Sequence, residues 1–126
     1  MKRVVIADDS QTARMFIRRC LQIIGLDEAL FVEAADGREA LTRVKEAPTD
    51  LLVTDLNMPC MDGEMLLRRV KGNPRLAGLE VLVITSAGNA AREAELLALG
   101  ARGVLRKPLA PASLVEILGP LLAERR

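Results

Sequence analysis

Reactive polar residues follow four of the long apolar runs in this sequence. Asp8 and Asp9 follow the first run, Asp55 ends another, and Thr85 and Lys107 come directly after two more. Continuous aliphatic runs are typical of parallel strands buried on both faces, and ligands of such sheets bind outside the carboxyl ends of the strands. The sequence therefore predicts one site that contains three carboxylates, a hydroxyl and an ammonium. Such a set suits a hard divalent cation and a phosphoryl group.

The adjacent acids Asp8 and Asp9 have the chemistry of a magnesium site. Alternation along an extended backbone lets neighbouring carboxylates approach a shared ion from different directions. Mg²⁺ prefers octahedral oxygen coordination, usually through one or two carboxylates together with waters and phosphate oxygens. An acid before Ser10 and a helical run is also a common capping arrangement, so the pair by itself leaves both interpretations open.

Asp55 is a candidate nucleophile, since a carboxylate can form an aspartyl phosphate and is ionised at neutral pH with a usual pKa of about 3.9. Attack on an anionic phosphoryl donor requires neutralisation, which a divalent cation and Lys107 would supply. Thr85 could donate a hydrogen bond to a phosphoryl oxygen. Taken singly, these residues could be a loop acid, a solvated lysine and a turn hydroxyl. Their common position at strand ends favours the site.

Composition restricts the class of protein. The 126 residues fit one domain spanning 1–126, half of them are apolar, and the formal net charge is +1. This balance argues against a dedicated nucleic-acid binder, which needs a concentrated basic face. No apolar stretch approaches the roughly 20 residues of a membrane span, so a cytoplasmic protein without membrane partners is expected. Because the chain has no His, a phosphoryl group would have to come from another protein or a small molecule.

Strand and helix patterns alternate along the whole chain. Five βα units with short connections predict an α/β, doubly wound fold: a five-stranded parallel sheet with helices on both faces. A short second strand is expected at 29–33, and the Gly119-Pro120 pair should kink or end the last helix. Cys20 is predicted to be buried and Cys60 to be an exposed loop thiol. The apolar residues expected to mark the first, third and fourth helices are Phe16, Ile17, Cys20, Leu21 and Ile24; Met65, Leu66, Leu67 and Val70; and Ala91, Ala94, Leu97 and Leu99.

Five segments together resemble the receiver domain of two-component response regulators, in particular the single-domain chemotaxis regulators of the CheY type. They are ADDS at 7–10, AADG at 34–37, DLNMPCMDG at 55–63, TSA at 85–87 and GARGVLRKPL at 100–109. The resemblance covers essentially the whole chain. It implies a flavodoxin-like (βα)5 fold with strand order 2-1-3-4-5, which is the order that general accounts of doubly wound folds give for CheY.

The resemblance also implies a role for each site residue. Asp55 matches the phosphoacceptor, Asp9 a direct Mg²⁺ ligand and Asp8 a partner acting more through water. The backbone carbonyl of Asn57 matches a further metal ligand, and Thr85 and Lys107 match the groups that contact the phosphoryl group. The Lys107-Pro108 peptide bond is expected to be cis, and Asn57 and Ala87 occupy positions that tune self-dephosphorylation.

One position departs from the family pattern. Where family members usually carry a Tyr or Phe that reports phosphorylation, three residues before the lysine, this chain has Val104. No aromatic side chain can therefore swing between buried and exposed positions there. Either the output signal travels through backbone and helix shifts alone, or this domain couples to its target differently.

The expected function is a phosphoacceptor switch, not a conventional enzyme, that receives a phosphoryl group from a histidine kinase or phosphotransfer protein with Mg²⁺ bound. A downstream target would bind the face formed by the fourth helix, fifth strand and last helix. Arg92, Arg102 and Arg106 make this face locally basic, which suits either an acidic partner segment or a merely solvated surface. The alternative is a phosphorylation-independent, receiver-like scaffold. A haloacid-dehalogenase-like phosphatase is disfavoured because Asn57 stands where that family needs a second Asp.

Overall fold

The computed structural model describes residues 1–86 and 88–124, with only the backbone of Glu124 included. Strands and helices alternate in the order expected from the sequence. The strands are β1 Arg3–Ala7, β2 Leu30–Ala34, β3 Leu51–Asp55, β4 Glu80–Thr85 and β5 Gly103–Arg106. The helices are α1 Gln11–Leu21, α2 Gly37–Glu46, α3 Gly63–Lys71, α4 Ala90–Ala98 and α5 Pro111–Glu124, and a short π-helical turn, Gln22–Leu26, extends α1.

The strands form one parallel sheet in the order β2-β1-β3-β4-β5, which confirms the predicted fold class and strand order. Alternate residues of β1 enter two different cores, because successive side chains of a strand point to opposite faces. Val5 packs in the core that includes residues of α2, α3 and α4, whereas Val4 and Ile6 pack in the core that includes residues of α1 and α5. This double burial explains why β1 and β3 read as uninterrupted aliphatic runs.

The register of the sheet brings the strand ends together. Ala7 of β1 lies opposite Thr54 of β3, so Asp8 and Asp55 emerge side by side at the carboxyl edge. Asp55 lies opposite Ile84, one residue before Thr85. Thr85 in turn lies opposite Arg106, one residue before Lys107. Parallel pairing with nearly equal strand lengths therefore gathers four distant segments at one edge.

Polar side chains fix where four of the helices begin. Ser10, Asp36, Asp62 and Asn89 each accept a hydrogen bond from the backbone N–H three residues later. Such caps satisfy N–H groups that have no partner within the helix, and each contributes on the order of 1 kcal/mol. Asp36 in this way fixes the start of α2 at Gly37.

The buried faces of the helices differ from the predicted stripes at several positions. Leu96 is the buried residue of α4, whereas Leu97 is 48% exposed and Ala91 and Ala94 are exposed as well. Phe16 of α1 and Met65 of α3 are also largely exposed. The alternative stripes on α4 are nearly equivalent in apolar content, so spacing alone selected the wrong face.

Other local predictions have mixed outcomes. Strand β2 begins and ends one residue later than expected, and Cys20 is buried while Cys60 is exposed, as predicted. Helix α5 does not end at Pro120 but continues to Glu124. Leu118 and Leu121, on either side of Pro120, are both buried in the core that covers β1, and their packing offsets the missing backbone hydrogen bond. None of the helices in the described part of the chain is long and apolar enough to cross a membrane.

Two glycines hold the loop that follows β3. The N–H of Gly63 donates to the carbonyl of Leu56 at 2.8 Å, and the N–H of Gly37 donates to the carbonyl of Met61 at 3.1 Å. A Cβ atom on Gly63 would lie 2.4 Å from the carbonyl oxygen of Asp55, and one on Gly37 would lie 2.3 Å from that of Met61. The first residues of α2 and α3 must therefore be glycine for this loop to approach them.

We expect Gly63→Ala to lower the free energy of unfolding by about 1–3 kcal/mol, because the new methyl group would force the backbone around Asp55 to shift. Gly78→Ala is the matched control, since a Cβ atom there meets nothing within 4 Å and φ is not positive. That control should be neutral or slightly stabilising. Urea unfolding of both variants measures the difference, and equal stability of the two would contradict the close-approach argument.

Candidate functional site at the carboxyl edge of the sheet

Asp8 is the most constrained acid of the site, with no exposed surface. Its Oδ1 accepts a hydrogen bond from the N–H of Ser10 at 2.9 Å, and its Oδ2 lies 3.0 Å from Nζ of Lys107. Its backbone is held as well, because the N–H donates to the carbonyl of Ala34 and the carbonyl accepts from Arg14 at 2.6 Å. The buried carboxylate therefore has an ionic partner and a fixed orientation.

Asp55, the last residue of β3, lies beside Asp8 and is 6% exposed. Its Oδ1 accepts a hydrogen bond from the N–H of Leu56 at 2.9 Å, and its Oδ2 lies 3.5 Å from Nζ of Lys107. Burial, and next the negative charge of Asp8, raise the pKa of the Asp55 carboxyl, and the charge of Lys107 and the Leu56 hydrogen bond oppose them only partly. The carboxylate is destabilised as an anion.

Lys107 bridges the two buried acids. Burial alone would lower the pKa of this ammonium, but the hydrogen bond to Asp8 and the charges of Asp55 and Asp8 outweigh burial, and the pKa is raised. The backbone N–H of Lys107 donates to the carbonyl of Thr85 at 2.8 Å, which ties the end of β5 to the end of β4. The Lys107-Pro108 peptide bond is cis, as predicted.

Thr85, Asp9 and Asn57 complete the set of predicted residues. Thr85 is buried at the end of β4, where its backbone meets that of Lys107. Asp9 is exposed next to Asp8, and Asn57 lies exposed in the loop two residues after Asp55. Ala87, named from the sequence as a tuning position, lies outside the described residues.

The acids fit a divalent cation. One carboxylate oxygen from each of Asp8, Asp9 and Asp55 can be chosen so that all three lie within 4.8 Å of one another. Two oxygens bound to the same Mg²⁺ are at most about 4.2 Å apart, because each Mg–O distance is about 2.1 Å. The spacing of the three acids is therefore close to that limit. Two buried acids and one exposed acid also leave a solvent side for waters and phosphate oxygens.

The arginines of the face formed by α4, β5 and α5 have acidic partners. Arg92 contacts Glu64 of α3 and Glu95, Arg106 lies 3.3 Å from Glu93, and Arg102 lies 3.8 Å from Glu80. Intramolecular carboxylates thus offset the charges that suggested a basic surface. Val104 is partly buried and packs against the core next to α2 and α3.

Sequence reasoning missed two contacts that hold the site. Arg14 bridges the carbonyl of Asp8 and the carboxylate of Glu33, the latter at 2.7 Å. Glu64, in the first turn of α3, links that helix to α4 through Arg92. An arginine on the polar face of an amphipathic helix gives no sequence signal of its partner. These contacts become visible only once the strand order is known.

Comparison with known proteins agrees with this geometry. Residues 4–119 match the family model described as response regulator receiver domain. The chain is 34% identical to chemotaxis protein CheY-3 of Vibrio cholerae over 92% of this chain and 88% of that protein, and 33% identical to chemotaxis protein CheY1 of Helicobacter pylori over 95% and 96%. The solved structure of chemotaxis response regulator CheY4 of Vibrio cholerae superposes with a TM-score of 0.82 at 31% identity, covering 96% of this chain and 98% of that one. With its parallel sheet ending in a buried acid pair bridged by a lysine, the chain belongs to the response regulator receiver domain family.

Proposed function

We propose that residues 1–126 form a single receiver domain that acts as a phosphorylation-controlled switch in two-component signalling. A histidine kinase or phosphotransfer protein donates a phosphoryl group to Asp55, and Mg²⁺ is the cofactor. The observation that carries the proposal is the position of Lys107 between the carboxylates of Asp8 and Asp55. A merely structural carboxylate would not need burial beside a second acid.

The residues divide the work of phosphoryl transfer. A carboxylate oxygen of Asp55 attacks phosphorus, a new P–O bond forms, and the bond from phosphorus to the donor breaks with its electron pair leaving on the donor. The Leu56 N–H and Lys107 hold the Asp55 carboxylate in position for the attack. Lys107 also offsets the repulsion between the two anions. Asp8, Asp9, Asp55 and the carbonyl of Asn57 would hold Mg²⁺, which neutralises charge on the transferring phosphoryl oxygens.

The product would change the contacts of Thr85 and Lys107. An acyl phosphate adds negative charge and acceptor oxygens at Asp55, to which the Thr85 hydroxyl and the Lys107 ammonium can donate. A Cβ on Gly88 would lie 3.1 Å from the Thr85 methyl group and 3.5 Å from a carboxylate oxygen of Glu93, so this loop is packed between Thr85 and the Glu93–Arg106 ion pair. Movement of Thr85 would therefore reach α4 without an aromatic residue at Val104. A downstream target would read the altered face of α4, β5 and α5.

Incubation with acetyl phosphate and Mg²⁺, followed by intact mass measurement, tests the chemistry. The wild-type chain should gain one hydroxylamine-labile phosphoryl group, and Asp55→Asn should gain none, because its amide cannot act as the nucleophile. Asp62→Asn, which keeps a helix-capping oxygen outside the site, is the control and should be labelled normally. Failure of the wild-type chain to be labelled would favour the scaffold alternative, and rapid turnover of varied phosphate esters would favour a phosphatase.

Magnesium should stabilise the folded protein by relieving repulsion among Asp8, Asp9 and Asp55. At a Mg²⁺ concentration about 100 times its Kd the gain is about 2.7 kcal/mol, visible as a rise of several degrees in the melting temperature. Asp9→Asn should lose most of this rise in melting temperature. Asp27→Asn changes an exposed acid that is not part of the acidic group, and it should keep the rise. Equal Mg²⁺-dependent rises in both variants would refute the assigned metal site.

Substitution of Lys107 should show how much its ion pairs with the buried acids contribute to the free energy of unfolding. We expect Lys107→Met to lower the free energy of unfolding by about 2–4 kcal/mol without Mg²⁺, because buried Asp8 loses its ionic partner. Lys2→Met makes the same chemical change at an exposed lysine and should have little effect. The double variant Asp8→Asn/Lys107→Met should lose less than the sum of the single variants in urea unfolding. Strict additivity would mean that the two side chains do not stabilise one another.

A further inference from the structure

A groove lies at the amino edge of the sheet, away from Asp55. It runs between the end of α2 and the segment 72–79 that follows α3, and we call it the α2–α3 groove. Three hollows of about 370, 410 and 360 Å³ make up this groove, and Lys45 lines all three of them. The other lining residues used below are Leu41, Arg68, Arg69, Arg75 and Leu76.

The groove combines an apolar floor with a basic rim. Leu41 and Leu76 are partly buried and pack against the core, so each leaves some apolar surface facing the groove. Lys45, Arg69 and Arg75 are exposed at its edges. Cations at the ends of α2 and α3 also complement the helix dipoles, but Arg75 lies outside any helix. Interaction with the helix dipoles therefore does not account for all of the positive charge on the rim.

The basic rim retains its charge. Within the described chain, none of Lys45, Arg69 and Arg75 forms an ion pair, whereas the arginines of the α4–β5–α5 face all do. Glu46 is the one carboxylate among the described residues that line the groove, and it is held by Arg3 at 3.2 Å and Arg43 at 3.3 Å. Among the described residues, the basic rim of this groove is therefore uncompensated, unlike the face that the sequence suggested.

We propose that the α2–α3 groove binds an acidic segment of a partner protein that also carries aliphatic side chains. The carboxylates would pair with Lys45, Arg69 and Arg75, and the aliphatic groups would cover Leu41 and Leu76. Single-stranded nucleic acid fits less well, because binding of its bases relies on aromatic stacking and neither Phe of the chain lines the groove. Because the groove lies at the sheet edge opposite Asp55, its partner can stay bound while the phosphorylation site is occupied.

Titration of the ¹⁵N-labelled chain with a short synthetic peptide of Glu, Asp and Leu tests the proposal. Amide shifts should centre on residues 41–48 and 68–76. Lys45→Glu and Arg75→Glu should each weaken binding by about threefold to tenfold, as expected for the reversal of an exposed charge. Arg19→Glu changes net charge equally at an exposed arginine of α1 that has no ion pair in the described chain, and it should leave the affinity unchanged.

Four outcomes would overturn the groove as an acidic-peptide site, the first three of which concern specificity. They are an equal loss of affinity in Arg19→Glu, tighter binding of duplex or single-stranded DNA at the same residues, and equally tight binding of a peptide with Ser in place of Leu. Absence of peptide binding would overturn it as well. Acetyl phosphate labelling of Asp55 should be unchanged in Lys45→Glu, so failure of this proposal is distinguishable from failure of the proposed switch.

Discussion

Burial of Asp8 beside Asp55, with Lys107 between them, is the constraint on which the rest of the structure depends. Unit charges about 4 Å apart repel by roughly 4 kcal/mol at an effective dielectric constant of 20. The pKa of Asp55 is raised in the fold, so the native state holds a proton there more tightly than the unfolded chain does. Its contribution to stability is therefore greatest at low pH and is lost as the pH rises through the folded-state pKa. The fold bears this cost at neutral pH, and a bound cation can relieve it.

The parallel sheet offsets the repulsion between Asp8 and Asp55, because its packing holds each charged group in place before any ligand binds. The strand register sets Asp8, Asp55 and Lys107 side by side, and the interior residues of β1 and β3 hold the strands in place by double-sided burial. Gly37 and Gly63 permit the close backbone contacts that close the loop after Asp55. In the proposed reaction, orientation by rigid strands reduces the entropic cost of bringing the reacting groups together.

The fold and the grouping of the site residues could be predicted because both depend on patterns that are visible in the sequence itself. Aliphatic runs mark strands, and the residue after each run marks the carboxyl edge, so Asp8, Asp55 and Lys107 could be placed together. The exposed face of α4 could not be predicted, because Leu96 and Leu97 are adjacent and only packing decides which of them is buried. Continuation of α5 through Pro120 and the ion pairs of Arg92 and Arg106 depend on tertiary neighbours. A sequence shows how many cationic residues a segment carries, but it does not show which of them form ion pairs with carboxylates of the same chain.

Helix α4 buries fewer side chains than α3. Leu96 is the one buried residue of α4, whereas α3 buries Leu66, Leu67 and Val70. Two partly exposed ion pairs also hold α4, to Glu64 through Arg92 and to Arg106 through Glu93, and pairs near the surface contribute about 0–1 kcal/mol each. Few apolar contacts and exposed polar ties are the signs of low local stability. In the proposed switch, a phosphoryl charge at Asp55 would act on α4 through Thr85 and the loop at Gly88. A few kcal/mol would then suffice to shift this helix without an aromatic residue at Val104.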